Sequence, residues 1–388
     1  MTAQPDAIVI GAGSVGNPIA YFLAQEGLRP LVLDELSASG QGQNKAAIGG
    51  VRATHSDPAK IRICQESIDV FSTWQETTGT SVGWKRGGYC FPAFDERVES
   101  TVQGLLPIQK RFRLNIDWVD SNSIQRLVPG INPHELRGGT YSPDDGQANP
   151  LLVSESFTRE AVRLGATYRY REPVTSLIRE DHTVVGVRTP KGEYRAKVVV
   201  NAAGARASPI CASVGLNLPI VPDSHEAGIS APVAPFLDPL VVDLRPGPDG
   251  RSSNFYFGQN SEGQIIFCYS PRTPILGENR ISTSEFMPTI AARLVEVIPR
   301  FKNLTIRRIW RGLYPMTPDG VPIVGKAPGL EGLYLAIGMC GQGFMLGPGI
   351  GKSLASLIVR GKPCIDPDVF GLLSPSRDLG RAKREALK

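Results

Sequence analysis

A glycine-rich turn near the start of the chain limits the fold more than any other feature of the sequence. The motif GAGSVG at residues 11–16 follows the apolar run 7–10 and opens an amphipathic helical pattern over residues 15–26. A second apolar run, residues 31–33, ends at Asp34. Glycines in this spacing permit a tight turn and a close approach of the backbone to a pyrophosphate, and an acid roughly 20 residues further on binds a ribose hydroxyl. The pattern therefore predicts a strand–turn–helix–strand unit that binds a dinucleotide.

Composition excludes several other classes of protein. The formal net charge of +5 is small for 388 residues, and no basic run is interleaved with aromatic residues, so nucleic acid is not an expected partner. The six cysteines are scattered and lack the spacing of metal ligands, which predicts reduced, mostly buried thiols and no metal site. The sequence shows neither a signal-peptide pattern nor ~20 continuous apolar residues. We expect a cytoplasmic protein without a transmembrane segment, and peripheral attachment to the inner face of the membrane stays open.

The middle of the chain alternates between two kinds of pattern. Helical periodicity begins after Ser56, which is the expected N-cap, and ends at Gly79. The pattern changes at residue 82, and residues 227–273 alternate as strands of an antiparallel sheet do. The chain therefore predicts two regions of different architecture.

The last third returns to the style of the first region. Residues 333–337 predict a buried strand, a glycine-rich turn follows, and a helix is expected to begin near Gly347 and to end at Gly361. From Arg377 onward the tail is polar and basic, and we expect it to be solvated and frayed.

Longer motifs point to one family. The most specific is WRGLYPMTPDG at residues 310–320, followed by GMCGQGF at 338–344. Further motifs lie at residues 39–52, 146–150 and 200–205. Together with the first turn, they resemble the D-amino-acid oxidase superfamily of flavoproteins, in particular its branch of glycine oxidase, sarcosine oxidase and dye-linked proline dehydrogenase. The resemblance covers nearly the whole chain.

The resemblance implies an α/β fold with two domains. A Rossmann-like, three-layer FAD-binding domain would comprise residues 1–80, 146–225 and 310–388. An α+β substrate domain on a largely antiparallel sheet would comprise residues 81–145 and 226–309. The implied function is oxidation of a small primary or secondary amine or amino acid to an imine by hydride transfer to flavin N5. If the amine binds uncharged, such a reaction needs no strong general base. His55 and His225 are candidate bases, although an isolated histidine usually has another role.

Seven short segments of the sequence supply the expected contacts to FAD. They are Gly11, Gly13, Ser14, Val15, Gly16, Asp34, Glu35, Ser39, Gln43, Ala46, Ala47, Gly49, Val174, Ala202, Ala203, Gly204, Gly312, Gly338, Gly341, Gln342, Gly343, Phe344 and Met345. The helix after the C-terminal glycine turn is expected to stabilise the negative charge of reduced flavin. Some relatives attach flavin through a cysteine where this chain has Gly312, so FAD is expected to be non-covalent.

The positions that bind a substrate carboxylate in some relatives are changed in this chain. Tyr314 replaces an arginine, and Met345 replaces a lysine, so two usual anchors are missing. The remaining candidates for substrate contact are Tyr314 itself, Arg52, Arg311 and Tyr256. The family layout brings Arg52 near the flavin, and Tyr256 lies in a strand similar to one that carries a substrate-contacting tyrosine in glycine oxidase.

Two alternatives remain at the level of sequence. A pyridine-nucleotide reductase with a single Rossmann domain would explain the first turn, but it leaves the C-terminal block unexplained. A flavoprotein subunit of a hetero-oligomer, relaying electrons to a partner or a quinone, would explain the missing carboxylate anchors. The final electron acceptor and the choice between a homo- and a hetero-oligomer stay open.

Overall fold

The strands and helices of the chain are known from a computed structural model, which describes residues 4–247, 250, 252–380 and 385–387. The strands are Ala7–Ile10 (β1), Pro30–Leu33 (β2), Gly50–Val51 (β3), Tyr89–Ala93 (β4), Asp117–Asp120 (β5), Gly138–Ser142 (β6), Gly146–Gln147 (β7), Thr167–Arg169 (β8), Ser176–Glu180 (β9), Thr183–Thr189 (β10), Gly192–Arg195 (β11), Val198–Asn201 (β12), Val221–Pro232 (β13), Leu240–Asp243 (β14), Ser252–Gln259 (β15), Gln264–Pro271 (β16), Ile306–Met316 (β17), Ile323–Lys326 (β18) and Leu333–Ile337 (β19). The α-helices are Gly16–Gln25 (α1), Pro58–Thr78 (α2), Glu96–Arg111 (α3), Ser121–Leu127 (α4), Pro150–Arg163 (α5), Ala207–Ala212 (α6), Phe286–Val297 (α7), Gly343–Arg360 (α8) and Pro367–Gly371 (α9).

The first glycine turn belongs to a six-stranded sheet in the order β18-β19-β12-β1-β2-β8. Five of these strands run parallel, and β18 is antiparallel to β19. Helices α1, α2, α5 and α8 cover one face, and the three-stranded sheet β11-β10-β9 with α6 covers the other. Because both faces are covered, β1 consists of buried apolar residues throughout. The predicted three-layer, Rossmann-like region is confirmed.

An eight-stranded sheet forms the second region, in the order β17-β13-β16-β15-β14-β4-β6-β5. Its neighbouring strands are antiparallel except β14 and β4. Phenylalanines of β15 and β16 pack on α7 on one face of the sheet. The α+β architecture with a largely antiparallel sheet is therefore confirmed. The exact domain boundaries remain a prediction, and β13 runs across the expected boundary at residues 225 and 226.

The start of α2 differs from the sequence-based expectation. Its N-cap is Asp57 and not Ser56, because an Asp57 carboxylate oxygen accepts hydrogen bonds from the N–H groups of Ala59 (3.0 Å) and Lys60 (3.1 Å). The Ser56 hydroxyl instead donates to the Glu385 carboxylate, at 2.8 Å. Both side chains are N-cap types, and a tertiary contact to the C-terminus decides between them.

The start of α8 was also predicted wrongly. The helix begins at Gly343, four residues before Gly347. A Cβ on Gly347 would lie 1.9 Å from the Ser14 carbonyl oxygen, so this glycine permits close packing of α8 on the first turn. The helix N-terminus therefore lies directly at the GxGF motif.

The prediction of a frayed C-terminal tail is wrong for the part that the structure describes. Arg377 donates to the Asp319 carboxylate at 2.8 Å. Glu385 is only 2% exposed and accepts a hydrogen bond from Ser56, just before α2. Leu387 is only 1% exposed and packs in an apolar cluster. The rest of the predicted tail lies outside the described residues.

Two other expectations can be compared with the structure. All six cysteines are free, and only Cys364 is exposed, so the prediction of reduced and mostly buried thiols is confirmed. Within the described residues, no helix combines the length and the apolar character needed to cross a bilayer.

Candidate active site

The main cavity of the molecule lies where the two large sheets meet, and its volume is about 520 Å³. Ile10, Leu33 and Ala202 line it at the carboxyl ends of β1, β2 and β12. Tyr256, on the eight-stranded sheet, lines its other end. Open parallel sheets bind ligands at the carboxyl ends of their strands, so this position is the one expected for a dinucleotide.

Most of the residues predicted from sequence line this single cavity. They are Gly11, Gly13, Ser14, Val15, Asp34, Glu35, Gln43, Ala46, Ala47, Gly49, Val174, Ala202, Ala203, Gly204, Gly312, Gly341, Gln342, Gly343, Phe344 and Met345, with Arg52, Tyr256 and Tyr314 from the substrate set. The segment at residues 43–47 is held in place by β17, because Trp310 donates to the Ala46 carbonyl at 2.9 Å and the Leu313 N–H donates to Gln43 at 2.7 Å. Segments far apart in sequence thus form one wall.

Three predicted cofactor residues are not among the residues that line the cavity. Gly16 lies behind the turn, where an added Cβ would come 1.8 Å from a main-chain oxygen of the same turn. The Ser39 hydroxyl hydrogen-bonds to Tyr170 at 2.8 Å. Gly338 faces Thr317, whose methyl group would be 2.5 Å from an added Cβ. All three therefore support the wall from outside.

Arg311 is also not brought to the cavity. Successive side chains of a strand point to opposite faces, and the Arg311 side chain lies on the face opposite to that of Tyr314 and is not among the residues that line the cavity. On that other face, Arg311 forms a buried ion pair with Glu226, with 3.0 Å between Nη2 and Oε2. Thr283 donates two further hydrogen bonds to the same carboxylate, both 2.7 Å long. The charge of Arg311 is thus matched by a structural partner.

The first turn has the shape that a pyrophosphate requires. At Gly11, φ is +102°, and an added Cβ would lie 2.7 Å from the Ala202 carbonyl oxygen, so only glycine fits. At Gly13, by contrast, an added Cβ would meet no described protein atom within 4 Å, although the residue lines the cavity. Gly13 therefore lies where the backbone is open to a ligand.

The N-termini of two helices at the cavity suit the charges of FAD. Neither α1 nor α8 has a side-chain cap among the described residues, so the positive dipole ends of both helices are open to an anion. Gln342, at the start of α8, is buried, and its Oε1 has no hydrogen-bond partner in the described part of the chain. The α1 terminus fits a pyrophosphate, and the α8 terminus fits the anionic ring of a reduced flavin.

Two main-chain N–H groups orient the carboxylate of Asp34. One carboxylate oxygen accepts from the Ala12 N–H at 2.7 Å and the other from the Leu36 N–H at 2.8 Å. These bonds fix the carboxylate at the cavity wall, where it retains lone pairs for a ribose hydroxyl.

A chain of polar side chains lies at the other end of the cavity. The hydroxyl oxygens of Tyr256 and Tyr314 are 2.9 Å apart, and the Tyr314 ring stacks on His225 with 3.8 Å between ring centroids. His225 Nε2 is 3.3 Å from Asp223 Oδ2, and its Nδ1 is 3.4 Å from the Ser270 hydroxyl. The histidine is thus held between a carboxylate and a tyrosine.

The surroundings decide which member of this cluster can accept a proton. Burial raises the pKa of Tyr256 and of Tyr314 well above the ordinary value, and it raises the pKa of Cys268 to about 12. Burial alone would raise the pKa of Asp223 too, but the hydrogen bonds that its carboxylate accepts from His225 and from the Ile275 and Ser224 N–H groups lower that pKa. Because imidazole ordinarily titrates near neutral pH, His225 is the group suited to take up a proton.

Arg52 lines the cavity but is already engaged. Its guanidinium donates to the Thr54 carbonyl and, at 3.0 Å, to the Leu387 carbonyl, and it lies 5.7 Å from the centroid of the Phe91 ring. A guanidinium has five N–H donors, and these two bonds use one on each terminal nitrogen.

The sequence reading missed the pairing of His225 with Asp223. Both residues are two positions apart on β13 and therefore share a face, a signal that strand periodicity contains. Cys268 and Ser270 show the same spacing on β16 and also line the cavity. What sequence does not contain is which strand of the sheet lies beside which.

A glycine turn at the end of a parallel sheet, with a cavity extending to an antiparallel sheet, defines a dinucleotide-binding oxidoreductase. The family model described as FAD dependent oxidoreductase matches residues 6–357. The chain belongs to this family, FAD is its cofactor, and the resemblance to the D-amino-acid oxidase superfamily is confirmed.

Comparison with individual proteins shows which members of the family the chain is similar to. It is 29% identical to the solved L-proline dehydrogenase from P. horikoshii, with a TM-score of 0.90 over 97% of this chain and 98% of that one. It is 25% identical to glycine oxidase of Geobacillus kaustophilus, covering 98% of this chain and 99% of that protein. It is 26% identical to mitochondrial dimethylglycine dehydrogenase of Homo sapiens, over 95% of this chain and 44% of that protein. The chain thus spans less than half of the last relative.

Proposed function

We propose that the chain oxidises a small amine or amino acid to the corresponding imine with FAD as the electron acceptor. The carrying observation is the cluster of Tyr256, Tyr314 and His225 in the lining of the cavity, with Asp223 bonded to the imidazole. The proline dehydrogenase, glycine oxidase and dimethylglycine dehydrogenase relatives support an amine as the electron donor.

The chemistry requires a proton acceptor and a place for the substrate nitrogen. An alkylammonium ion keeps its proton at neutral pH, with a pKa near ~10, and in that form it cannot release a hydride from the adjacent carbon. We propose that His225 takes this proton and that Asp223 orients the imidazole and balances its charge. Bound FAD then supplies the acceptor for the hydride, so that both electrons leave the substrate together.

The two tyrosines act as positioning groups in this proposal. Both hydroxyls stay protonated and one donates to the other, so one hydroxyl hydrogen and lone pairs on both oxygens remain to hold a polar group of the substrate. Arg52 lines the same cavity and is proposed to donate to a carboxyl or carbonyl oxygen of the substrate.

The test is anaerobic mixing of the purified holoprotein with a panel of primary, secondary and tertiary amines and amino acids. We expect at least one of them to bleach the long-wavelength absorbance of the flavin. His225→Gln should slow that reduction by roughly 10²-fold near neutral pH. The deficit should shrink at high pH, where more of the amine is neutral. A panel without any bleaching, or a variant that reduces flavin at the normal rate, would contradict the proposal.

A further inference from the structure

A second cavity, of about 320 Å³, adjoins the main one. Both are lined by His225 and Ser270. Beyond these residues the second cavity continues past Asn254 to Arg97 and Arg272, and we call it the outer cavity. The cluster that is proposed to take the substrate proton is thus shared between two spaces.

The outer cavity is positively charged. Arg97 lies in the first turn of α3, Arg272 follows β16 directly, and neither forms an ion pair with an acid among the described residues. Asp223 is the single described acid in the lining. Its Oδ1 is already occupied by the N–H groups of Ser224 and Ile275, both at 2.8 Å. Two arginines in a partly enclosed space favour an anion, and their planar guanidinium groups suit a carboxylate.

The spacing of residues along β15 gives the approximate distance between the outer cavity and the tyrosines of the main cavity. Asn254 lines the outer cavity and Tyr256 lines the main one, two residues apart on the same face of the strand. Two residues of a strand cover ~7 Å. In an α-amino acid, only two bonds of ~1.5 Å separate the nitrogen from the carboxyl carbon. A molecule that reaches both ends therefore needs a longer carbon chain.

The reacting end of the main cavity offers little to bind an α-carboxylate. Tyr314 and Met345 occupy the positions of the usual anchors. Arg52 shares its charge with two main-chain carbonyls. We propose that the outer cavity binds the anionic end of an elongated substrate, an amino carboxylate whose amine and carboxylate are several carbons apart, through Arg97 and Arg272. This inference rests on the proposed amine oxidation and names its substrate class.

A matched series of substrates tests the proposal on the holoenzyme. Glycine, beta-alanine, gamma-aminobutyrate and delta-aminovalerate are compared with butylamine, which lacks a carboxylate, and with their N-methyl forms. We expect kcat/KM to rise along the series and to exceed that of butylamine. In Arg97→Gln and in Arg272→Gln, the ratio of kcat/KM for the best long amino acid over butylamine should fall by about 10-fold, mainly through KM, as for loss of one charge-assisted hydrogen bond. Arg188→Gln, a surface change on β10, should keep the wild-type ratio.

Calorimetric binding of glutarate gives a readout that does not depend on turnover. We expect wild-type holoenzyme to bind glutarate and each arginine variant to bind it about 10-fold more weakly. If no amine reduces the flavin, the proposed function fails, and glutarate binding still reports on the anion site. If amines reduce the flavin while ratios and glutarate affinities are the same in both arginine variants and in wild type, the outer cavity is not the substrate's anion site.

Discussion

Gly13 is the residue at which cofactor binding and folding can be separated. An added side chain meets no described protein atom there but extends into the cavity beside the first turn. We expect Gly13→Val to fold and to lose FAD, because the isopropyl group occupies the path of the pyrophosphate. The measurement is flavin-to-protein stoichiometry, with circular dichroism as the check on folding.

The control for this prediction is Gly104→Val. Gly104 lies in α3, and an added Cβ there also meets nothing within 4 Å among the described atoms. It does not line the cavity, so the variant should keep its flavin. A yellow Gly13→Val protein with normal stoichiometry would show that the pyrophosphate does not pass this residue.

Single residues differ in how well sequence predicts their roles. The roles of Gly11 and Gly13 follow from the backbone conformation of the first turn, and a local sequence motif is enough to find that turn. Arg311 and His225 were misjudged because the face of a strand decides their roles. Arg311 lies opposite the cavity and pairs with Glu226, whereas His225 lines the cavity and is bonded to Asp223. These pairings depend on tertiary structure, which the sequence motif does not contain.

Arg52 gives a second prediction at the residue scale. Arg52 lines the cavity and is proposed to contact the substrate, so Arg52→Ala should raise KM, or lower kcat/KM, by roughly 10²-fold for the best substrate. Arg52→Lys keeps the charge but not the planar fork, and it should recover part of the loss. FAD content should stay normal in both variants. Steady-state kinetics and the flavin-to-protein ratio of both variants test this prediction. Loss of flavin would mean that Arg52 binds the cofactor and not the substrate.

At the scale of elements, the C-terminal segment 385–387 shows what local patterns do not reveal. Glu385 accepts hydrogen bonds from Ser56, and its carboxylate lies 3.3 Å from His55 and 3.5 Å from Lys60. A polar, basic stretch is typical of a solvated end, but here the start of α2 offers buried partners. The segment therefore completes the wall behind Arg52, and no pattern in its own sequence predicts that.

The pKa of Glu385 gives this segment a testable pH dependence. Burial alone would raise that pKa, but the charge of Lys60 and the hydrogen bond of His55 lower it well below the ordinary value. A lowered folded-state pKa stabilises the fold above the unfolded value of ~4.3, and that contribution is lost as pH falls through the folded value. Glu385→Gln should therefore lower the free energy of unfolding at pH ~7 by on the order of 2 kcal/mol, and the deficit should shrink in acid.

Urea unfolding of the FAD-saturated protein at neutral and acidic pH measures this difference. Glu193→Gln removes an exposed glutamate that pairs with Arg188 at the surface, and it should cost less than about 1 kcal/mol at either pH. Equal stability of Glu385→Gln and wild type at neutral pH would mean that the buried carboxylate contributes nothing.

For the whole molecule, periodicity predicted the two kinds of sheet, because a strand buried on both faces and a strand buried on one face have different patterns. It did not predict how the sheets meet. The main cavity forms between the carboxyl ends of β1, β2 and β12 and the face of the eight-stranded sheet, and the outer cavity lies beside it and shares His225 and Ser270 in its lining. Both depend on the relative placement of segments that are hundreds of residues apart in sequence.

The attachment of FAD is a property of the whole cavity, and we predict that it is non-covalent. Gly312 has no side chain to form a thioether, and even a Cβ there would lie 2.9 Å from the Cβ of Ala46. Two cysteines line the cavity elsewhere, and a thiolate is the reactive form of cysteine. Burial raises the pKa of Cys268 to about 12, and the Cys340 sulfur lies 3.3 Å from the Thr317 hydroxyl and 3.2 Å from the Gly338 carbonyl.

Acid precipitation of the holoprotein should therefore release all flavin into the supernatant, measured by its absorbance, and leave a colourless pellet. Flavin retained on the denatured protein, and located on a peptide by mass spectrometry, would contradict the prediction and identify the attached residue.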